Sequence, residues 1–204
     1  MAFITFPTVD IQVSSLFFDN GFHLKGSWWE RFLYKSVKPF LIFTLLALVI
    51  LWLFNKYTNK NIFNIDGRKT GFLILVLVIG SGIIVNAIFK DNFGRARPSH
   101  IMEFNGTKEF TPAFVISQEC DKNCSFSSGH GSAAFFTLAL ALLFKNRRRA
   151  LAIAVTYGCL VSLARIAAGG HFFSDNVTSF FVMAITTDVL YYILYARHKK
   201  KILE

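Results

Sequence analysis

The chain has 204 residues, 53% of them hydrophobic and 24 of them phenylalanine, with a formal net charge of +10 and a mean hydropathy of +0.46. That apolar share exceeds what a soluble domain carries, and the length makes one domain, 1–204, the default. Lys and Arg fall largely in short connections between apolar runs and not on one soluble face, which argues against a nucleic-acid partner and for a membrane protein.

Residues 1–36 hold no clean spanning segment, because Pro7, Asp10, Gln12, Asp19 and Asn20 interrupt the apolar residues. They read as an amphipathic interfacial segment, with Trp28, Trp29 and Tyr34 followed by Lys35 and Lys38 as an interfacial belt. With neither a basic n-region nor a small-residue cleavage site at the start, no cleaved signal peptide is expected. Five spans follow, near 39–54, 71–89, 131–144, 150–168 and 176–195, each judged against the roughly 20 residues that cross a bilayer. The run 131–144 is short; Lys145 can snorkel, and neighbouring protein can shield the outer end. The expected fold is an all-α polytopic membrane helical bundle: five transmembrane helices plus an N-terminal amphipathic or reduced first segment.

Basic residues set the orientation. Lys56, Lys60, Arg68 and Lys69, then Lys145, Arg147, Arg148 and Arg149, then Arg197, Lys199, Lys200 and Lys201 mark three cytoplasmic connections. The long loop 90–130 and the turn 169–175 then share the opposite face. Residues 1–36 fall there too, in conflict with Lys35 and Lys38; a partly inserted or re-entrant segment and a missing preceding span both remain open. Cys159, in an apolar run, reads as core filler. Cys120 and Cys124 can form a local disulfide if their loop lies outside the cytoplasm, although CxxxC within a regular helix bridges poorly.

The stretch Ser125–Ser132 precedes an apolar run, and taken alone it is an ordinary helix start with Ser128 as N-cap. Its neighbours change that reading. Lys90, Arg95 and Arg97 follow the second span, Arg165 ends the fourth, and His171 and Asp175 precede the fifth. This face should be poor in positive charge, so an anionic substrate is the simplest reason for the excess. Lys90, Arg97 and Arg165 make a phosphate clamp; interfacial snorkelling is the alternative for any one of them, least so for Arg165, which lies within its apolar run. His171 and Asp175, spaced i, i+4, share a helical face, so the carboxylate can orient the ring. His171 can then attack phosphorus while His130 protonates the leaving alkoxide. A hydrolytic metal site would need a third ligand, and Glu103, Glu109, Glu119 and Asp121 show no ligand spacing, so neither metal nor cofactor is expected.

These residues fall into three blocks: Lys90 to Arg97-Pro98 with six residues between Lys and Arg, Ser127-Ser128-Gly129-His130, and Arg165 to Asp175 with His171 between. In that order they resemble the signature of the type 2 phosphatidic acid phosphatase superfamily over about 90–175. The resemblance implies that Lys90, Arg97, Ser128, Gly129 and Arg165 hold phosphate, His130 is the general acid, His171 the nucleophile and Asp175 its support. It also implies a phosphohistidine intermediate hydrolysed by water without a metal, and typically six spans. Two departures stand out: Ser127 replaces the usual proline, and Ala164 replaces the serine that commonly precedes the arginine, removing one hydrogen bond to phosphate. Wording around Asn92–Pro98, Phe110–Phe114 and Cys120–Phe126 is similar to the bacterial branch that includes the lipid A phosphatases. The implied protein is a phosphatase of the bacterial inner membrane with a periplasmic active site, acting on a lipid phosphate, lipid A being favoured. Undecaprenyl pyrophosphate and phosphatidylglycerophosphate are the alternative substrates. An anion-binding transporter is the alternative of another class, with Gly80-Ser81-Gly82 and Asn86 as its hints, although small residues there also permit close helix packing.

Overall fold

The computed structural model describes residues 2–196, and over these the chain is all-helical without a strand. Arg197, Lys199, Lys200 and Lys201, expected on the cytoplasmic side, lie outside the described residues. Two short helices, α1 (Ala2–Thr5) and α2 (Thr8–Ser15), lead through a turn into α3 (Trp28–Thr58). α3 runs for 31 residues with Pro39 in its interior. Pro39 removes one backbone hydrogen bond, yet the flanking apolar residues carry the helix through it. The expected start at 39 is corrected accordingly: α3 begins at Trp28, and residues 28–36 of the expected interfacial segment are its first turns.

Asn59, left-handed at φ 51°, ends α3. Asp66 then caps α4 (Gly67–Val76), accepting from the Lys69 backbone N–H at 2.8 Å. α4 continues as a π-helical stretch, Leu77–Lys90. In it the Asn86 amide donates to the Ser81 carbonyl at 2.6 Å. A Cβ on Gly80 would sit 2.8 Å from the Met183 sulfur, so Gly80 serves close packing against the helix that carries Met183.

The expected span 131–144 falls on two short helices, α5 (Gly129–Phe135) and α6 (Thr137–Ala141), in place of one continuous helix. Thr137 Oγ1 donates to the Ala134 carbonyl at 2.7 Å, the kind of side-chain competition that bends a helix. Beyond it the bonding tightens to i→i−3, with Ala139 N–H on the Phe136 carbonyl and Leu143 N–H on that of Leu140, both at 3.0 Å. α7 (Arg147–Ala167) and α8 (Phe173–Tyr191) complete the bundle. Among the described residues four helical stretches are long and apolar enough to cross a membrane: Trp28–Thr58, Gly67–Lys90, Arg147–Ala167 and Phe173–Tyr195.

α5 is the central element, packed on α7, α8 and the π-helical end of α4. Phe72, Leu73, Val76, Phe136 and Met183 are buried in the main core, while α3 lies at the edge with Phe43 73% exposed. In hydrocarbon such contacts are held by close packing more than by removal from water. At the end of the bundle that carries the loop 90–130, Phe18 and Phe22 of the N-terminal segment pack tilted and edge-on against Phe104, ring centroids 5.0 and 5.4 Å apart, in a cluster with Ile101 and Phe172. The N-terminal segment therefore covers that loop. Cys120 and Cys124 form a disulfide in non-helical chain. Cys159 is corrected from core filler to an exposed free thiol of α7: its run is apolar because one face meets lipid, not because every side is buried.

Candidate active site

Helix ends and one turn deliver the polar residues. Ser128 is the N-cap of α5, its Oγ accepting from the Gly131 N–H at 3.1 Å, and the Ser179 hydroxyl of α8 donates to its carbonyl at 2.9 Å. Arg165 lies in the last turn of α7, and the chain reverses at Gly169, whose φ of 64° is a conformation that suits glycine. The Ser99 N–H donates to the Gly169 carbonyl at 3.0 Å, tying the segment after Arg97-Pro98 to the turn that carries His171. A Cβ on the next residue, Gly170, would collide with the Arg165 guanidinium.

His171 is buried, 1% exposed. Its Nδ1 lies 2.8 Å from the Ser125 carbonyl oxygen. A carbonyl can only accept, so Nδ1 carries the proton and the lone pair of the neutral ring is on Nε2. Burial lowers the pKa of His171 to about 4, against the opposing pull of Asp175 and with a smaller contribution from Arg165 and Arg97. The ring is neutral at ordinary pH. Asp175 Oδ2 is 3.7 Å from Nδ1, so the carboxylate acts on the ring through its charge. Its bonds go elsewhere: to the Ser125 hydroxyl at 2.5 Å, to the Phe172 N–H at 2.8 Å and to Arg95 at 2.6 Å.

Arg95 extends this network away from the ring. It is 1% exposed and donates to Asp175, to Asp10 at 2.8 Å, to the Ser174 hydroxyl at 2.9 Å and to the Thr111 carbonyl at 2.7 Å. Asp10 in turn accepts from the Ser174 N–H at 2.8 Å and from its hydroxyl at 2.5 Å. One guanidinium thus sits between two carboxylates with its donors well used, the condition under which buried charge is tolerated.

Facing His171 are the cations. The Arg165 Nε is buried with no hydrogen-bond partner among the described residues, and its Nη1 reaches Glu30 at 3.4 Å. The guanidinium lies 4.6 Å from the ring of Tyr34, which stacks on His130 at 4.4 Å. The Lys90 amine is 3.7 Å from where a Cβ on Gly129 would stand, which places it over the start of α5. Arg97 donates through Nε and Nη2 to the Asn123 carbonyl at 3.1 and 2.8 Å. His130, just ahead of the apolar run 131–144, has its pKa lowered to about 3 by burial first, then by Arg165, His171 and Lys90. An anion among these cations opposes the electrostatic part of that lowering. Among the described residues no three His, Cys, Asp or Glu side chains cluster so as to hold a metal ion.

The structure therefore brings the eight expected residues, Lys90, Arg97, Ser128, Gly129, His130, Arg165, His171 and Asp175, to one end of the bundle. Sequence reasoning missed the residues behind and above them. Ser125 supplies the carbonyl that fixes the His171 tautomer, Arg95 and Asp10 hold Asp175, and Glu30 and Tyr34 hold Arg165 and His130. Arg95 was visible only as excess charge beside Arg97. Asp10, which along the chain only interrupts an apolar run, is buried with Ser14 at i, i+4 on α2.

The sequence model of the PAP2 superfamily matches residues 71–199. Over 202 residues the chain is 38% identical to the lipid A 4'-phosphatase of Francisella tularensis subsp. novicida, covering 96% of this chain and 90% of that protein. It is 31% identical over 193 residues to the lipid A 4'-phosphatase of Rhizobium leguminosarum, covering 86% and 82%. No solved structure matches significantly. With the family's three blocks gathered at one helix-end site and the match running over most of the chain, the protein belongs to the PAP2 superfamily.

Proposed function

We propose that the chain is an integral membrane phosphatase that removes a phosphate from lipid A through a phosphohistidine intermediate, without a metal. The observation that carries this reading is the neutral His171 ring with its lone pair on Nε2, beside a buried Arg165 whose Nε has no partner. Arg97, Arg165, Lys90 and the Ser128–Gly129 helix start hold the phosphate oxygens and take up its charge. Nε2 of His171 attacks phosphorus as the bond to the lipid oxygen breaks, and His130 gives that oxygen its proton. Water then attacks the phosphohistidine, His130 taking its proton back, and inorganic phosphate leaves. Asp175 stabilises the positive charge that His171 carries in the intermediate.

Lipid A is favoured because both curated relatives above are named for its 4'-phosphate. The same reading makes 1–204 a single domain of a bacterial inner membrane, with segment 131–144 as a fifth crossing shielded by protein and the site on the periplasmic face. The test is phosphate release by purified protein in detergent from lipid A, undecaprenyl pyrophosphate, phosphatidylglycerophosphate and phosphatidic acid, with and without a chelator. Preferred turnover of lipid A, retained under chelation and lost in His171→Ala, is the expected result. Turnover by His171→Ala sinks the mechanism, chelator sensitivity sinks metal independence, and preference for another lipid moves the substrate.

A further inference from the structure

Beside the phosphate clamp lies a cavity of about 570 Å³ that the chemistry above leaves unused. Arg97 and Arg165 line it, whereas Lys90, Ser128, His130 and His171 do not, so it extends from the clamp away from the histidines. Its volume is in the range that holds a drug-sized ligand and is far more than one phosphate needs. Lys25, Arg31 and Lys35 line it from the N-terminal side and Lys122 from the disulfide-closed loop. All four are exposed, and none is in an ion pair among the described residues. The one carboxylate in the lining, Glu30, is already matched to Arg165 and to the Gly26 N–H at 3.2 Å.

The field in the cavity is accordingly positive. His100, also in its lining, has its pKa lowered by burial, then by Arg97 and Lys25. Four basic side chains facing one cavity without counter-charge repel one another, a cost that a bound anion removes. They also stand on the face that positive-inside topology would leave poor in lysine, so their placement here calls for a local ligand.

We propose that this cavity is a second anion subsite, which takes a further phosphate borne by the same lipid headgroup while Arg97 and Arg165 hold the phosphate being cleaved. The inference rests on the lipid-phosphatase reading above for the identity of the lipid. Lys25 and Lys122 come from different segments and converge on one cavity, which makes them the ligands to test. Because their charges are solvated, the contribution is electrostatic and weakens with salt.

The test is equilibrium binding, in detergent and in a His171→Ala background that prevents turnover, of lipid A carrying both phosphates and of lipid A carrying only the 4'-phosphate. Full chains with Lys25 and Lys122 intact should prefer the bisphosphorylated lipid about tenfold. Lys25→Gln/Lys122→Gln should abolish that preference with affinity for the monophosphorylated lipid unchanged, and Lys25→Arg/Lys122→Arg should retain it. Equal affinity for the two lipids before mutation, or equal loss on both lipids afterwards, overturns the proposal. So does a change confined to the affinity for inorganic phosphate, which would make this a site for the free ion. A chain with His171 intact that releases no phosphate from either lipid defeats the functional reading, while the binding preference still decides the subsite.

Discussion

The His171 proton is on Nδ1 because the Ser125 carbonyl 2.8 Å away cannot donate, and everything the ring does follows from the lone pair this leaves on Nε2. On the proposed mechanism protonation removes the attacking lone pair, so kcat/KM should fall as pH drops through about 4, the value to which burial lowers this group. An acid limb centred at the ordinary histidine value would contradict the buried neutral ring. His130 carries the opposite requirement. In the empty site it is deprotonated above about 3, whereas the proposed general-acid role needs it protonated beside a bound phosphate, so binding of vanadate near neutral pH should draw in about one proton per site. Calorimetry in buffers of differing ionisation enthalpy measures that uptake, which His130→Asn should eliminate. Gly170 offers a third check at this scale. Its missing Cβ gives the Arg165 guanidinium its place, and Gly170→Ala should lower kcat/KM by about 100-fold through misplacement of that one ligand. A near-normal kcat/KM in that variant would mean Arg165 does not work from the position it occupies.

Among elements, the N-terminal segment is the one whose standing changes most. α2 sends Asp10 onto Arg95 and the first turn of α8, and the first turns of α3 send Glu30 and Tyr34 onto Arg165 and His130. Both ends of the site are therefore braced by residues 2–36. Asp10 lies 85 residues from Arg95 in sequence, so removing it strands a buried guanidinium with half its counter-charge. Asp10→Asn should destabilise the fold by about 3 kcal/mol, the lower part of the range for breaking a buried ion pair from one side. Thermal unfolding in detergent reads this, and a loss no larger than that of a surface substitution such as Asp19→Asn would show the network to be dispensable.

For the whole molecule, the proposed orientation puts the disulfide loop and the α3–α4 connection on opposite faces of the membrane. In a Cys159→Ser background, Lys122→Cys should react with an impermeant thiol reagent on intact spheroplasts and Lys60→Cys only after permeabilisation. The reverse pattern would invert the topology and remove the periplasmic site.

Much of this molecule was legible along the chain because the information was local. Apolar runs of spanning length and basic connections follow from hydropathy and spacing, and they carried the all-α membrane fold, while the family and the full set of eight expected site residues came from the resemblance of three short blocks at the ends of those runs to a known signature. Other features depended on which groups meet across long separations. Pro39 failed to end α3, and Thr137 bent the segment expected as a third span. Cys159 faced outward, Arg95 turned inward beside Arg97, and a polar N-terminal segment closed over the site. Hydropathy cannot separate a buried, fully bonded Asp10 from a solvated one, since its cost is cancelled by partners 85 and 164 residues away. The sequence by itself determined that the three family blocks, with their basic and histidine residues, sit at the ends of apolar helices. Only the tertiary structure decided which nitrogen of His171 is free to attack and what holds it there, because both are set by hydrogen bonds between distant segments.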